Sequence, residues 1–220
     1  MMVEVKIPQA NFLQIQYQSL EQQENTATLG MWVFIATEIL FFGGLFLAYT
    51  VYRITYPDTF SRAGKELNIM IGTVNTFVLL LSSYFMALSV RAVKLSRIKM
   101  GALFLGCTWM LGFTFLILKA YEYYDDFQKH LVPTSDIIYS GQNVHAAKLF
   151  YFIYYAMTGL HAVHMTVGLG VIAVMYLKVI RNKYSSSYCA PLEVSGLYWH
   201  FVDVIWIFLY PLLYLMDRHS

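Results

Sequence analysis

The chain has 220 residues, 58% of them hydrophobic and only 13% charged, with a formal net charge of +2 at pH 7. That balance excludes an ordinary soluble domain, gives no footing for nucleic-acid binding, and leaves room for about five apolar spans of about 20 residues and little else. Two cysteines, Cys107 in an apolar run and Cys189 in a short loop, make neither a disulfide framework nor a metal-binding pair.

Residues 1–28 are polar and Gln-rich and read as a tail, with Phe12, Leu13, Ile15 and Leu20 scattered among glutamines. They lack a basic start, a short apolar core and a small-residue cleavage site, so insertion is expected to begin with the first span. That span, residues 29–53, carries one carboxylate, Glu38, inside an apolar run. A central ionisable group costs about 2.5–3.5 kcal/mol on insertion scales, so Glu38 is expected to face protein and to meet a histidine of a later span. Gly43 and Gly44 on the same span permit close approach by a neighbouring helix. A short connection with Pro57, Asp58 and Gly64 leads to a second span, residues 67–90, where Asn75, Ser82 and Ser83 suit interhelical hydrogen bonds.

Arg91, Lys94, Arg97 and Lys99 crowd the next loop, which places it in the cytoplasm by the positive-inside rule. The third span, residues 100–121, ends at a tyrosine-rich boundary beside Glu122, followed by a long connection containing Pro133 and Asp136. After a fourth span, residues 148–177, come Lys178, Arg181 and Lys183, again basic and again read as inside. A fifth span, residues 194–216, leads to Asp217, Arg218 and His219 outside. The expected architecture is therefore all-α: a tail over 1–28 and, over 29–220, an integral membrane bundle of five transmembrane helices with its amino terminus cytoplasmic.

With that topology, a rise of about 1.5 Å per residue sets Glu38, His161, His164, His200 and Asp203 at depths of about 8–14 Å from the cytoplasmic face. His161 with His164, and His200 with Asp203, are spaced i, i+3 on their helices, so each pair is expected to share a face. Three readings of this layer compete. Three imidazoles and two carboxylates suit zinc or iron, but the Glu-x-x-His pattern of di-iron bundles is absent, so no metal is assigned. Haem is disfavoured too, because no second histidine pair exists at another depth. The other two readings, a proton-handling network and a set of groups that merely pair to hold the helices in register, are not separated by spacing. No nucleophile elbow or phosphate loop is present, so no catalytic residue is assigned.

Five segments, in order, carry a resemblance: WVFIATEILFFGGLFLAY with Glu38, TVNTFVLLLSS over 73–83, KAYEYYDDF around Glu122, TGLHAVHMTVGLG with His161 and His164, and LYWHFVDVIWIFLY with His200 and Asp203. Together they resemble subunit III of the haem–copper terminal oxidases, in its five-span bacterial form. The resemblance implies an accessory subunit with no redox centre of its own, packed against a catalytic subunit I that holds haem and copper. It implies bound phospholipid, support of proton uptake and of the stability of subunit I, and a place in the bacterial cytoplasmic membrane. Glu38 matches the family's carbodiimide-reactive carboxylate, and Glu122 an acid of its outer motif. Longer members have seven spans, and this chain starts at what would be their third. A related accessory subunit of nitric oxide reductases and a free-standing lipid-binding scaffold are the alternative readings.

Overall fold

The computed structural model describes residue 13 and residues 15–132, 143–181 and 189–216. Most of the tail before Ile15, Pro133 and Asp136, Lys183, and Asp217–His219 lie outside the described residues. Among the described residues six helices follow in order: α1 (Leu20–Thr55), α2 (Pro57–Glu66), α3 (Ile69–Lys94), α4 (Ile98–Gln128), α5 (Val144–Ile180) and α6 (Ala190–Tyr210), the last continued by a π-helical turn over Pro211–Leu215. Five of them are long and apolar enough to cross a membrane, as expected. No strand occurs among the described residues.

Helices α1, α4 and α5 run past the apolar limits read from sequence, and in α1 and α5 the start is set by a side-chain cap as well as by hydropathy. The Ser19 hydroxyl accepts from the Gln22 amide, so α1 starts nine residues before its apolar run. Asn68 accepts from the amides of Met70 and Ile71 at the start of α3, and Asn143 from that of Ala146 at the start of α5. The short helix α2 occupies what reads as a plain connection. Pro57 suits its first turn, where the missing N–H costs nothing, and Phe60, Ala63 and Gly64 bury its inner face.

The bundle is organised around α6. Of the most apolar window of each span, 56% is buried in α6 against 11% in α1, so α6 is the core element and α1 an edge element. Trp199 of α6 shows how tightly that core closes. Its ring lies where a Cβ on Gly112 of α4 would stand 2.6 Å from it, and one on Gly168 of α5 2.9 Å, while its indole N–H donates to Ser82 of α3 at 2.9 Å. One side chain thus locks three helices onto α6. By contrast, nothing within the described chain comes within 4 Å of a Cβ placed on Gly43 or Gly44.

Pro211 explains the turn that ends α6. The Met216 amide bonds to the Pro211 carbonyl at 3.2 Å, a five-residue step in place of the α-helical four. The Leu212 carbonyl, which an α-helix would have given to that amide, instead accepts from the Tyr49 hydroxyl of α1 at 3.0 Å. The same turn buries Tyr214 between α4 and α5.

Candidate functional site

The polar residues expected in one layer fall into separate groups. On α1, Glu38 sets Oε2 3.3 Å from Nε2 of His164 on α5, both side chains largely covered. The contact is one of proximity: the same oxygen has no aligned hydrogen-bond donor. The other ring nitrogen of His164, Nδ1, lies 2.9 Å from the Leu160 carbonyl, which can only accept, so Nδ1 carries a hydrogen. Nε2 therefore faces Glu38 either bare or, in the imidazolium, protonated, and an attractive pair requires one proton held between the two groups. Phe42 covers the ring edge-on at 5.6 Å, and the Tyr198 hydroxyl of α6 pins the His164 backbone carbonyl at 2.9 Å.

His161 does not join that pair, although it lies three residues away on the same helix. Such residues are about 60° apart around the axis, enough here to turn one toward α1 and the other into the core. His161 is 1% exposed, sits 5.5 Å from the Phe115 ring and 5.1 Å from that of Trp206, and has no hydrogen-bond partner at either nitrogen. On α6, His200 Nδ1 meets the Ser83 hydroxyl of α3 at 2.6 Å. Asp203 is buried beside Ser83, with no aligned donor on either oxygen. Among the described residues no hydrogen bond links the Glu38–His164 pair to the His200–Ser83 pair. Asn75 is fully buried and neither amide atom has a partner, whereas its neighbour Thr76 accepts from the Trp206 indole at 3.1 Å.

The densest polar cluster lies elsewhere, and of its members the sequence singles out only Glu122 as a site residue, with Lys119, Tyr123 and Asp126 falling in the segment around it. Lys119 of α4 is 2% exposed, and its ammonium donates to Glu122 Oε2 at 3.1 Å, to the Tyr154 hydroxyl of α5 at 3.2 Å and to the Tyr214 hydroxyl at 2.8 Å. All three ammonium hydrogens thereby have acceptors. Glu122 Oε1 accepts from Tyr154 at 3.0 Å and from Tyr214. The rings of Tyr123, Tyr154, Trp206 and Tyr214 surround the ammonium at 5.0–5.4 Å, a cation–π cage. Asp126, one turn further along α4, is buried with Oδ2 3.5 Å from the Tyr154 hydroxyl. Lys119, Glu122 and Asp126 recur at i, i+3, i+7, a polar stripe on an apolar helix that was available as a signal.

Near the basic loop, Lys94 pairs with Glu193 at 2.9 Å, and the Cys189 thiol donates to the same carboxylate at 2.9 Å. Burial, with the Glu193 carboxylate beside it, pushes that thiol up to about 12. No group of three or more His, Cys, Asp or Glu side chains that could hold a metal ion occurs among the described residues.

Membrane-length helices that bury an ion pair and a tyrosine network in their core define a polytopic helical membrane protein whose polar groups lie between spans. Residues 14–218 match the family model for cytochrome c oxidase subunit III. The chain is 30% identical over 191 residues to cytochrome c oxidase subunit 3 of Thermostichus vulcanus, covering 86% of this chain and 87% of that protein. It is 32% identical over 188 residues to cytochrome c oxidase subunit 3 of Synechocystis, covering 85% and 74%. To cytochrome bo(3) ubiquinol oxidase subunit 3 of Buchnera aphidicola it is 26% identical over 192 residues, covering 87% of each. The chain belongs to the cytochrome c oxidase subunit III family.

Proposed function

We propose that this chain is the non-redox accessory subunit of an aerobic terminal oxidase of the bacterial cytoplasmic membrane. In this reading it packs against the haem- and copper-bearing catalytic subunit I, supports its proton uptake and stability, and binds phospholipid. The observation that carries the reading is the family match over residues 14–218, which takes in all five spans. Relatives named for cytochrome c and for ubiquinol oxidases both match, which fits a subunit common to either electron donor.

Further support comes from the chain itself. The Glu38–His164 pair sits on the edge helix, where a partner subunit or water can reach it, and one shared proton is the least that holds it together. Open space at Gly43 and Gly44 on that helix suits the close approach of a helix from another subunit. A groove of about 730 Å³ between α3, α4 and α5, lined by Phe85, Gly106, Trp109 and Tyr176, suits an acyl chain. Arg97 and Lys99 line the neighbouring hollow, beside which a phosphate would be favoured. Their loop faces the cytoplasm by the positive-inside rule, with the amino terminus on the same side.

Affinity purification through this chain from mild detergent is the test. Haem a or haem o absorbance together with copper supports the reading. Haem b with non-haem iron would move the chain to a nitric oxide reductase, and the absence of any haem protein would leave a free-standing scaffold. A single cysteine at Ser96 should react with an impermeant maleimide only from the cytoplasmic side, and labelling from outside would invert the topology.

A further inference from the structure

Although α6 is the core element of the bundle, one stripe of it lies open. Val204 and Ile207 are exposed there, and so are Leu80 and Ala87 on the neighbouring α3. The first two stand at i+4 and i+7 from His200, and the second two at i−3 and i+4 from Ser83, so each set shares a helix face with a polar residue. Those two polar residues meet, Nδ1 of His200 lying 2.6 Å from the Ser83 hydroxyl, and both are half-buried. An apolar face that is open to the membrane thus has an imidazole set within it.

Bonding at that imidazole is one-sided. Nδ1 has Ser83, whereas Nε2 has no partner among the described residues and is not enclosed by protein. His161 is the opposite case, with neither nitrogen partnered but both sealed in the core. In either neutral tautomer, Nε2 of His200 carries a hydrogen to donate or a lone pair to fill. It stands about 9 Å inside the apolar span that begins at Val194, at about 1.5 Å of rise per residue. Hydrocarbon offers no hydrogen bond at that depth, and an imidazole is too short to reach the headgroups as a lysine does. Another membrane helix can meet the need, because polar side chains bond across helices within a bilayer.

We propose that the face formed by α3 and α6 around His200 is the docking surface for a membrane helix of another subunit, one that brings a hydroxyl, amide or carboxyl side chain to Nε2. Apolar side chains of that helix pack on Leu80, Ala87, Val204 and Ile207. Its polar group completes a hydrogen-bonded chain through Nε2, Nδ1 and the Ser83 hydroxyl, which joins three helices. The bond to Ser83 holds the ring from α3, so Nε2 is set in place before the partner arrives. This surface uses neither Gly43 nor Gly44 of α1. It rests on the reading of this chain as a subunit of a larger membrane complex, and adds where and by what chemistry the chain is joined.

Photo-cross-linking in the purified complex, with benzoylphenylalanine at Val204, is the test. Irradiation should join this chain to a membrane span of another subunit, with a polar residue of that span within about one turn of the linked peptide. Cross-links to lipid alone, or to a second copy of this chain, overturn the proposal. Two variants decide the matter if that substitution blocks assembly. His200→Asn keeps an amide near the place of Nδ1 and leaves nothing at Nε2, whereas His200→Gln places its amide near Nε2. On dilution in detergent, His200→Asn should leave the complex about three- to tenfold faster than the parent, and His200→Gln should stay close to the parent. A parental rate in His200→Asn, or equal rates in the two variants, overturns the proposal. Haem and copper in the same preparation test the oxidase reading separately, so a complex that holds both yet cross-links only to lipid removes this inference and leaves that one.

Discussion

The Lys119 cluster and the Glu38–His164 pair are both acid–base contacts between membrane helices, yet they are built in opposite ways. In the first, the ammonium has all three acceptors, the partner carboxylate three donors, and four aromatic rings close the shell. In the second, a single contact of 3.3 Å lacks hydrogen-bond alignment and sits on the most weakly buried span. The difference teaches that acid–base contacts in this bundle come in two forms. A fully satisfied pair joins α4, α5 and the end of α6, whereas the pair at the edge leaves hydrogen-bonding capacity unused.

The sharpest way to break this contrast is Lys119→Met. Removing the cation leaves Glu122 buried and unpaired, and a loss of about 3–5 kcal/mol is expected, read as early unfolding in mixed micelles. The double variant Lys119→Met with Glu122→Gln should recover most of it. A single variant as stable as the parent would remove the distinction between core and edge. Next in size is Gly112→Ala, whose Cβ would stand 2.6 Å from the Trp199 ring, with a loss of about 1–3 kcal/mol in the same assay. The matching change at Gly44, which has open space, should be nearly neutral in the isolated chain.

Glu38→Gln should then cost under about 1 kcal/mol, because the pair is poorly aligned and partly open. A loss as large as that of Lys119→Met would make the edge pair structural as well. The smallest effect concerns Cys189. Its thiol, pushed up to about 12, is almost wholly protonated at pH 8, so maleimide reacts slowly and faster as pH rises. Glu193→Gln removes the nearby negative charge, lowers the thiol toward its ordinary value and should speed the reaction. An unchanged rate would mean that access alone limits it.

How much of this was legible in the residues depends on which coordinate was needed. The five spans follow from apolar length, and the need of Glu38 for a partner on another helix follows from the cost of an acid in an apolar run, while the choice between the histidines of the fourth and fifth spans does not. Position along each span gives depth, and i, i+3 spacing predicts a shared face for His161 and His164, but that spacing still leaves about 60° between them. Azimuth is what separates His161, enclosed by Phe115 and Trp206, from His164, which faces Glu38. The Lys119 cluster is hidden for a related reason: a tyrosine in an apolar run does not show where its hydroxyl goes, and only the packing of α5 and the last turn brings those of Tyr154 and Tyr214 to one point. Only the i, i+3, i+7 stripe of α4 pointed there. The helix α2 escaped notice because ten residues with a polar outer face resemble a loop.

The π-helical turn at Pro211–Leu215 also has a consequence for biogenesis. Tyr214 follows Lys119 by 95 residues, so during synthesis α4 and α5 enter the bilayer well before the turn that supplies this hydroxyl. Until then the nascent bundle carries an ammonium one acceptor short, and the edge helix lacks the Leu212 carbonyl that receives Tyr49. Arrival of the last turn closes both contacts in a single docking event. Ribosome-bound chains halted before Pro211 should therefore be cleaved readily by membrane proteases, and chains released beyond Leu215 should resist them.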